Sequence, residues 1–480
     1  MNANIRHLSI FFLVAFAIIL ADVTYWQVLD ASAMYNRPDN PRLVLQAREV
    51  RRGLIYDRTG RVLAQRVTTN GYIHHYLTDP SLSQVIGYDS ERYGTSELEN
   101  SYNKYLTGQV AGNSWSSVIK RWEHKPAVGD NVTLTIDDQL QQDVNALLPN
   151  SPSAAVVADP RNGDILAMVS KPNFDANQVS DPTYWNSLLH NTDDPLINRV
   201  TSGYYPPGST FKIVTLAAAL NSGTMSLNTI FDGQRASGPL NVQGYIIPAF
   251  SSNLSDCGGR VVYPPITLET ALVCSDDIVF AEVGLTIGAN AFVGMAHDFG
   301  LDHVPPFAIP VVESHVRQTQ TAMTPQLLAA SAFGQGEIHV TPLQMLMATE
   351  AIADGGSIPY PNLVKQVTAP DGSVVQSEST GTLYRPISSS IAGQIKQAMI
   401  QVVETGSGIL AQVPGVVVAG KTGTAETGDG EPPHAWFVAF APADHPRVAV
   451  AVIIEHGGEG ATVAAPIAQK ILEDALALNP

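Results

Sequence analysis

Tyr205-Pro206-Pro207-Gly208-Ser209-Thr210-Phe211-Lys212 is a turn that opens into a helix. Two prolines and a glycine break the backbone, and the apolar run from Phe211 to Leu220 then predicts a buried helix over Thr210 to Asn221. Ser209 sits at its N-terminus, in the positive end of the helix dipole. Lys212 projects from the same face and is the sole charge in an otherwise apolar helix. Burial disfavours an ammonium ion, so Lys212 is a candidate base for the serine proton. S-x-x-K is a short pattern, however, and its plainer reading is an N-capping serine beside a lysine that snorkels to the surface.

Two further stretches bear on that choice. In Val416-Val417-Val418-Ala419-Gly420-Lys421-Thr422-Gly423-Thr424-Ala425-Glu426, a β-branched run ends in a lysine among small residues. It predicts a strand over Val416 to Thr424 whose edge a ligand backbone can approach, because Gly420 and Gly423 carry no side chain. Lys421 and the hydroxyls of Thr422 and Thr424 suit a carboxylate. Between the two lysines, Ser275-Asp276-Asp277 precedes the apolar Ile278-Val279-Phe280-Ala281, and Ser251-Ser252-Asn253 lies upstream without such a helix after it.

Around these motifs, Ala154 to Ala158 and Ile165 to Ser170 predict a hairpin across Asp159-Pro160-Arg161-Asn162-Gly163. Ala435 to Ala441 and Val448 to Glu455 predict later strands, and Ala464 to Ala477 a closing helix. Helices are expected between the ends, at Leu268 to Ile287, Pro342 to Ile352 and Ile391 to Val403. Strands at both ends with helices between them imply an α/β fold of the α+β type, in which first and last strands meet in an antiparallel sheet covered by helices. A strand over Val132 to Ile136 and a helix capped by Asp137 open this region.

The motif set S-x-x-K, S-x-N and K-T-G, in that order, resembles that of penicillin-binding proteins and serine β-lactamases. Ser275-Asp276-Asp277 matches the middle motif by context, with aspartate where the family has asparagine. Arg52-Gly53-Leu54-Ile55-Tyr56-Asp57-Arg58-Thr59-Gly60 looks like the pedestal box of class B penicillin-binding proteins. Gly334-Gln335-Gly336-Glu337-Ile338-His339-Val340-Thr341-Pro342-Leu343-Gln344 looks like their transpeptidase signature. The chain is identified as a member of class B, closest to the penicillin-binding protein A branch, with no room for a glycosyltransferase domain.

That resemblance implies a peptidoglycan D,D-transpeptidase that acylates Ser209 with D-Ala-D-Ala stem peptides and binds β-lactams covalently. Lys212 is then the base and Ser275 the proton shuttle. Asp277, Lys421, Thr422, Gly423 and Thr424 contact substrate, and the Thr424 and Ser209 N–H groups form an oxyanion hole. No metal or cofactor is implied. The implied partners are stem peptides and lipid-linked precursor, the membrane, and a polytopic glycan polymerase of the divisome or elongasome. A serine β-lactamase or β-lactam sensor, a D,D-carboxypeptidase and, from Asp277, a catalytically weak scaffold remain alternatives.

The N-terminus fits this placement. Leu8 to Ala21 is apolar apart from Ser9, and the run to Leu29 is long enough for a bilayer, with Arg6 before it and Tyr25 and Trp26 at its far end. A cleaved signal peptide ending at Ala31-Ser32-Ala33 is the alternative. Either way, the bulk lies outside the cytoplasm of a bacterial cell. The expected division is a tail (1–7), an anchor (8–29), a mainly β pedestal (30–130) and a transpeptidase domain (131–480). The net charge of -17 argues against nucleic acid. The two cysteines, Cys257 and Cys274, leave one disulfide open, with two unrelated thiols as the alternative. His339 and His434 have no metal-ligand spacing.

Overall fold

The computed structural model describes residues 3–26, 51–69, 72–109, 128–232, 239–247, 257, 265–317, 322–428 and 430–478. Its centre is a five-stranded antiparallel sheet in the order Ala419–Ala425, His434–Ala441, Val448–Ile454, Ser153–Asp159 and Asp164–Lys171. The two ends of the region meet where Ala449 pairs with Ala158 and Ile454 with Ser153. Almost every residue of these strands is buried, because helices cover both faces, and outside Ala419–Ala425 the strands are accordingly apolar except near their ends. Ala464–Ala477 and Asp138–Leu147 pack on one face, with Leu140, Val144, Ile471 and Leu472 in a common cluster. The other face meets Pro342–Ala353, which starts with Thr341 capping Gln344 N–H and proline in the first turn.

Three expectations need correction. The helix expected over Leu268 to Ile287 is divided into Leu268–Val273 and a helix that starts at Asp277 and breaks at Gly288 (φ +81°, ψ 162°), just after the expected end, before continuing to Asp298. Ser275 between them takes φ +60°, and Asp276 starts the second helix by accepting from Val279 N–H. The helix expected from Thr210 begins as a 3-10 turn, Gly208–Phe211, and becomes α-helical at Lys212. Val416 to Val418 lie outside the lysine strand, which runs Ala419–Ala425.

A second sheet has the order Val374–Ser377, Val364–Thr368, Asn131–Leu134, Ile55–Tyr56, Val62–Thr69 and Tyr72–Leu77. It draws strands from both sides of residue 130, since Ile55 pairs with Val132 and Val132 with Val367. Arg52 is buried beside it, hydrogen-bonded to Glu99 and, at 2.8 Å, to Asn103 Oδ1. The helix Ala3–Thr24 is exposed and has a span, Ile5–Thr24, apolar and long enough to cross a membrane. Leu29 and Ala31 to Ala33 lie outside the described residues. Asp277–Asp298 passes the same test but packs within the core through Ile278, Val279 and Phe280.

Candidate active site

The loop carrying Ser209 is held from three directions. Tyr205 and Val340 exchange backbone hydrogen bonds of 3.1 and 2.8 Å, and Gly208 N–H donates to Gly334 O at 2.9 Å. The fully buried Trp436 donates from Nε1 to Pro206 O at 3.1 Å. Gly208 takes φ +54°, and a Cβ there would sit 2.6 Å from Thr424 O, so only glycine lets the loop lie against the lysine strand. The stretch Gly334 to Thr341 is thus a brace for the serine loop, and His339 stacks on Tyr204 with centroids 4.6 Å apart.

Ser209, Lys212, Ser275, Asp277 and Lys421 come together at one point. Lys212 Nζ lies 2.6 Å from Asp277 Oδ1, 2.7 Å from Ser275 O and 3.3 Å from Ser275 Oγ. Ser209 Oγ lies 3.5 Å from Asp277 Oδ1. Lys421 Nζ approaches Ser275 Oγ at 2.8 Å, Thr422 O at 3.1 Å and Thr422 Oγ1 at 3.3 Å. Both lysines have no exposed surface. The Ser275 hydroxyl therefore bridges two amines whose residues are far apart in sequence, and Ser275, at φ +60°, presents both its carbonyl and its hydroxyl to Lys212.

Burial pushes the Lys421 ammonium well below the ordinary lysine range, the charge of Lys212 adds to this, and Asp277 opposes it. Asp276 is raised to about 6, chiefly by burial, against the hydrogen bonds it accepts at the helix start. Thr424 Oγ1 accepts from Gly460 N–H at 3.3 Å.

The glycines of the lysine strand need a different account from the one expected. A Cβ on Gly423 would meet Thr210 Cγ2 at 2.8 Å and Trp436 Cβ at 2.9 Å, and one on Gly420 would meet Phe437 Cζ at 2.7 Å. Their missing side chains make room for the protein's own interior rather than for a ligand backbone. Asn253 lies outside the described residues. Cys257 and Cys274 are bonded, which places a cross-link immediately before Ser275. His434 is buried, with Nδ1 accepting from His456 N–H at 3.0 Å. Among the described residues no group of three or more His, Cys, Asp or Glu could hold a metal ion.

Two features escaped the sequence reading. Glu455 Oε1 accepts from Arg199 Nε and from Tyr205 OH, both at 2.6 Å, tying the approach to the serine loop to the end of a central strand. Ser407 Oγ lies 2.8 Å from Thr422 Oγ1. Neither has a local signal, because the partners are distant in sequence.

Comparison with known proteins agrees with this geometry. The penicillin binding protein transpeptidase domain profile matches residues 153–473, and the penicillin binding protein A dimerisation domain profile matches 52–132. The peptidoglycan D,D-transpeptidase PbpA of Mycolicibacterium smegmatis is 33% identical over 99% of this chain and 99% of its own length. Its Mycobacterium tuberculosis counterpart is 32% identical over the full length of both. The ceftriaxone acyl-enzyme complex of penicillin-binding protein A from M. tuberculosis superposes with a TM-score of 0.82 and 31% identity, covering 90% of this chain and 100% of that one.

Proposed function

The chain belongs to the penicillin-binding protein transpeptidase family, and from that membership we propose that Ser209 is the residue acylated in its reaction. The protein is a peptidoglycan D,D-transpeptidase, a serine acyltransferase that β-lactams also acylate. Ser209 Oγ attacks the carbonyl between the two terminal D-alanines of a stem peptide, and its proton passes to Lys212. The peptide bond breaks, the departing amine takes a proton through Ser275, and D-alanine leaves. The amine of a second stem then attacks the ester, forming the cross-link and returning the proton to Ser209. Lys421, Thr422 and Thr424 hold the terminal carboxylate, and the Ser209 and Thr424 N–H groups receive the oxyanion.

The observation that carries this reading is the Ser275 hydroxyl, 3.3 Å from Lys212 Nζ and 2.8 Å from Lys421 Nζ, which gives a proton route between the nucleophile's base and the carboxylate site. The apolar helix at the N-terminus suits a membrane anchor. We assign the catalytic region to the outer side, where its substrate is, and a polytopic glycan polymerase of the divisome or elongasome as its partner at the pedestal. Labelled penicillin should form a stable adduct on the wild-type protein and none on Ser209→Ala. Equal labelling of both would remove Ser209 from its role.

A further inference from the structure

We propose that Ser407 is a positioning residue for substrate, turning the Thr422 hydroxyl proton outward to the carboxylate that the lysine strand binds. This rests on the reading of Lys421, Thr422 and Thr424 as the carboxylate site. A threonine hydroxyl has one proton and two lone pairs. To hold a carboxylate, which can only accept, Thr422 must spend its single proton on the ligand. Its lone pairs then have to be met by donors from the protein.

Both donors are in place. Lys421 Nζ reaches Thr422 Oγ1 at 3.3 Å, and Ser407 Oγ reaches the same atom at 2.8 Å. The second contact is the shorter and its direction is free to choose, since either hydroxyl can donate. Donation by Ser407 leaves the Thr422 proton for the ligand, whereas donation by Thr422 would consume it. An arriving carboxylate therefore selects the first arrangement, and Ser407 supplies it without a side-chain rearrangement.

Ser407 is also held where this requires. Its N–H donates to Val273 O at 3.2 Å, and a Cβ on the preceding Gly406 would sit 2.6 Å from both Val273 O and Val273 Cγ1, so the loop after Ser389–Thr405 lies tight against the residues leading to Ser275. Ser407 is half-buried and Thr422 is 5% exposed, so water competes poorly for the pair. The lysine strand and the Ser275 turn are thereby joined through one small hydroxyl residue.

The test is stopped-flow acylation of the full chain in detergent by benzylpenicillin, separating the dissociation constant of the initial complex from the acylation rate constant. Ser407→Ala should raise that dissociation constant about 5- to 10-fold, the size of one ordinary net hydrogen bond between neutral groups, with little change in the rate constant. Ser407→Thr should restore it. Ser407→Ala should not weaken the methyl ester of benzylpenicillin further, and the double variant with Thr422→Ala should bind no worse than Thr422→Ala alone. If Thr422→Ala itself leaves binding unchanged, the carboxylate reading fails. If Thr422→Ala weakens binding while Ser407→Ala does not, or if Ser407→Thr behaves as Ser407→Ala with an unaltered thermal midpoint, the role of Ser407 fails alone.

Discussion

At position 277 the difference between an amide and a carboxylate changes what the site can donate. Asp277 Oδ1 lies 2.6 Å from Lys212 Nζ and 3.5 Å from Ser209 Oγ. An ionised aspartate only accepts, while asparagine accepts through oxygen and donates through nitrogen, so on the proposed substrate-binding role a donor toward the substrate carbonyl is missing. The ion pair also occupies the amine that we propose takes the serine proton. Both effects oppose acylation. We predict that Asp277→Asn speeds penicillin acylation at pH 7, by less than the ~100-fold typical of a donor aimed at developing charge, because this one positions substrate. A stopped-flow rate constant that is unchanged or lower would overturn the prediction. The aspartate was legible in the sequence, and the family resemblance implied a carboxylate near Lys212; the direct 2.6 Å contact itself comes from the packing of separate helices.

The turn between Leu268–Val273 and Asp277–Asp298 shows what an apolar pattern conceals. Both helices are apolar enough to read as one, and the break comes from Ser275 at φ +60° with Asp276 as the cap. Asp276 carries a pH signature. Its folded-state value of about 6 lies above the ordinary 3.8, so the fold favours the neutral acid. Stability from this group is complete below about pH 4 and is lost as the pH rises through 6, by up to about 3 kcal/mol. Asp276→Asn keeps a capping side chain and removes the charge. It should raise stability by roughly 1–3 kcal/mol at pH 8 and by little at pH 4, and thermal unfolding at the two pH values that showed equal gains would refute this. The same turn is tethered by Cys257–Cys274 across a sequence separation of 17, a loop whose closure is worth roughly 3 kcal/mol. Non-reducing peptide maps should join the two cysteines, and reduction should lower the thermal midpoint. Quantitative alkylation of both in the unreduced, denatured protein would exclude the bond.

For the molecule as a whole, the proposed outer placement of the catalytic region makes a direct prediction. Protease added to spheroplasts should digest the bulk of the chain and leave a short membrane-bound fragment near Ile5–Thr24, whereas full protection would put the catalytic region inside. Much of the architecture was legible beforehand. Period and composition place the hairpin at Ser153–Lys171, the two late strands and the closing helix within a residue or two, because continuous apolar runs bounded by turn residues have few other uses. Sequence alone also determined the chemistry on offer: a serine at a helix start, a lysine one turn on, and a second lysine in a small-residue strand. Tertiary structure alone decided which groups meet. It put Asn131–Leu134 in a sheet with Ile55–Tyr56 and Val364–Thr368, joined Arg199 to Glu455, and set Ser407 against Thr422. Propensity and periodicity act over a few neighbouring residues, whereas a hydrogen bond or ion pair between remote segments depends on how whole elements pack, and a change of a few ångströms in that packing makes or removes it.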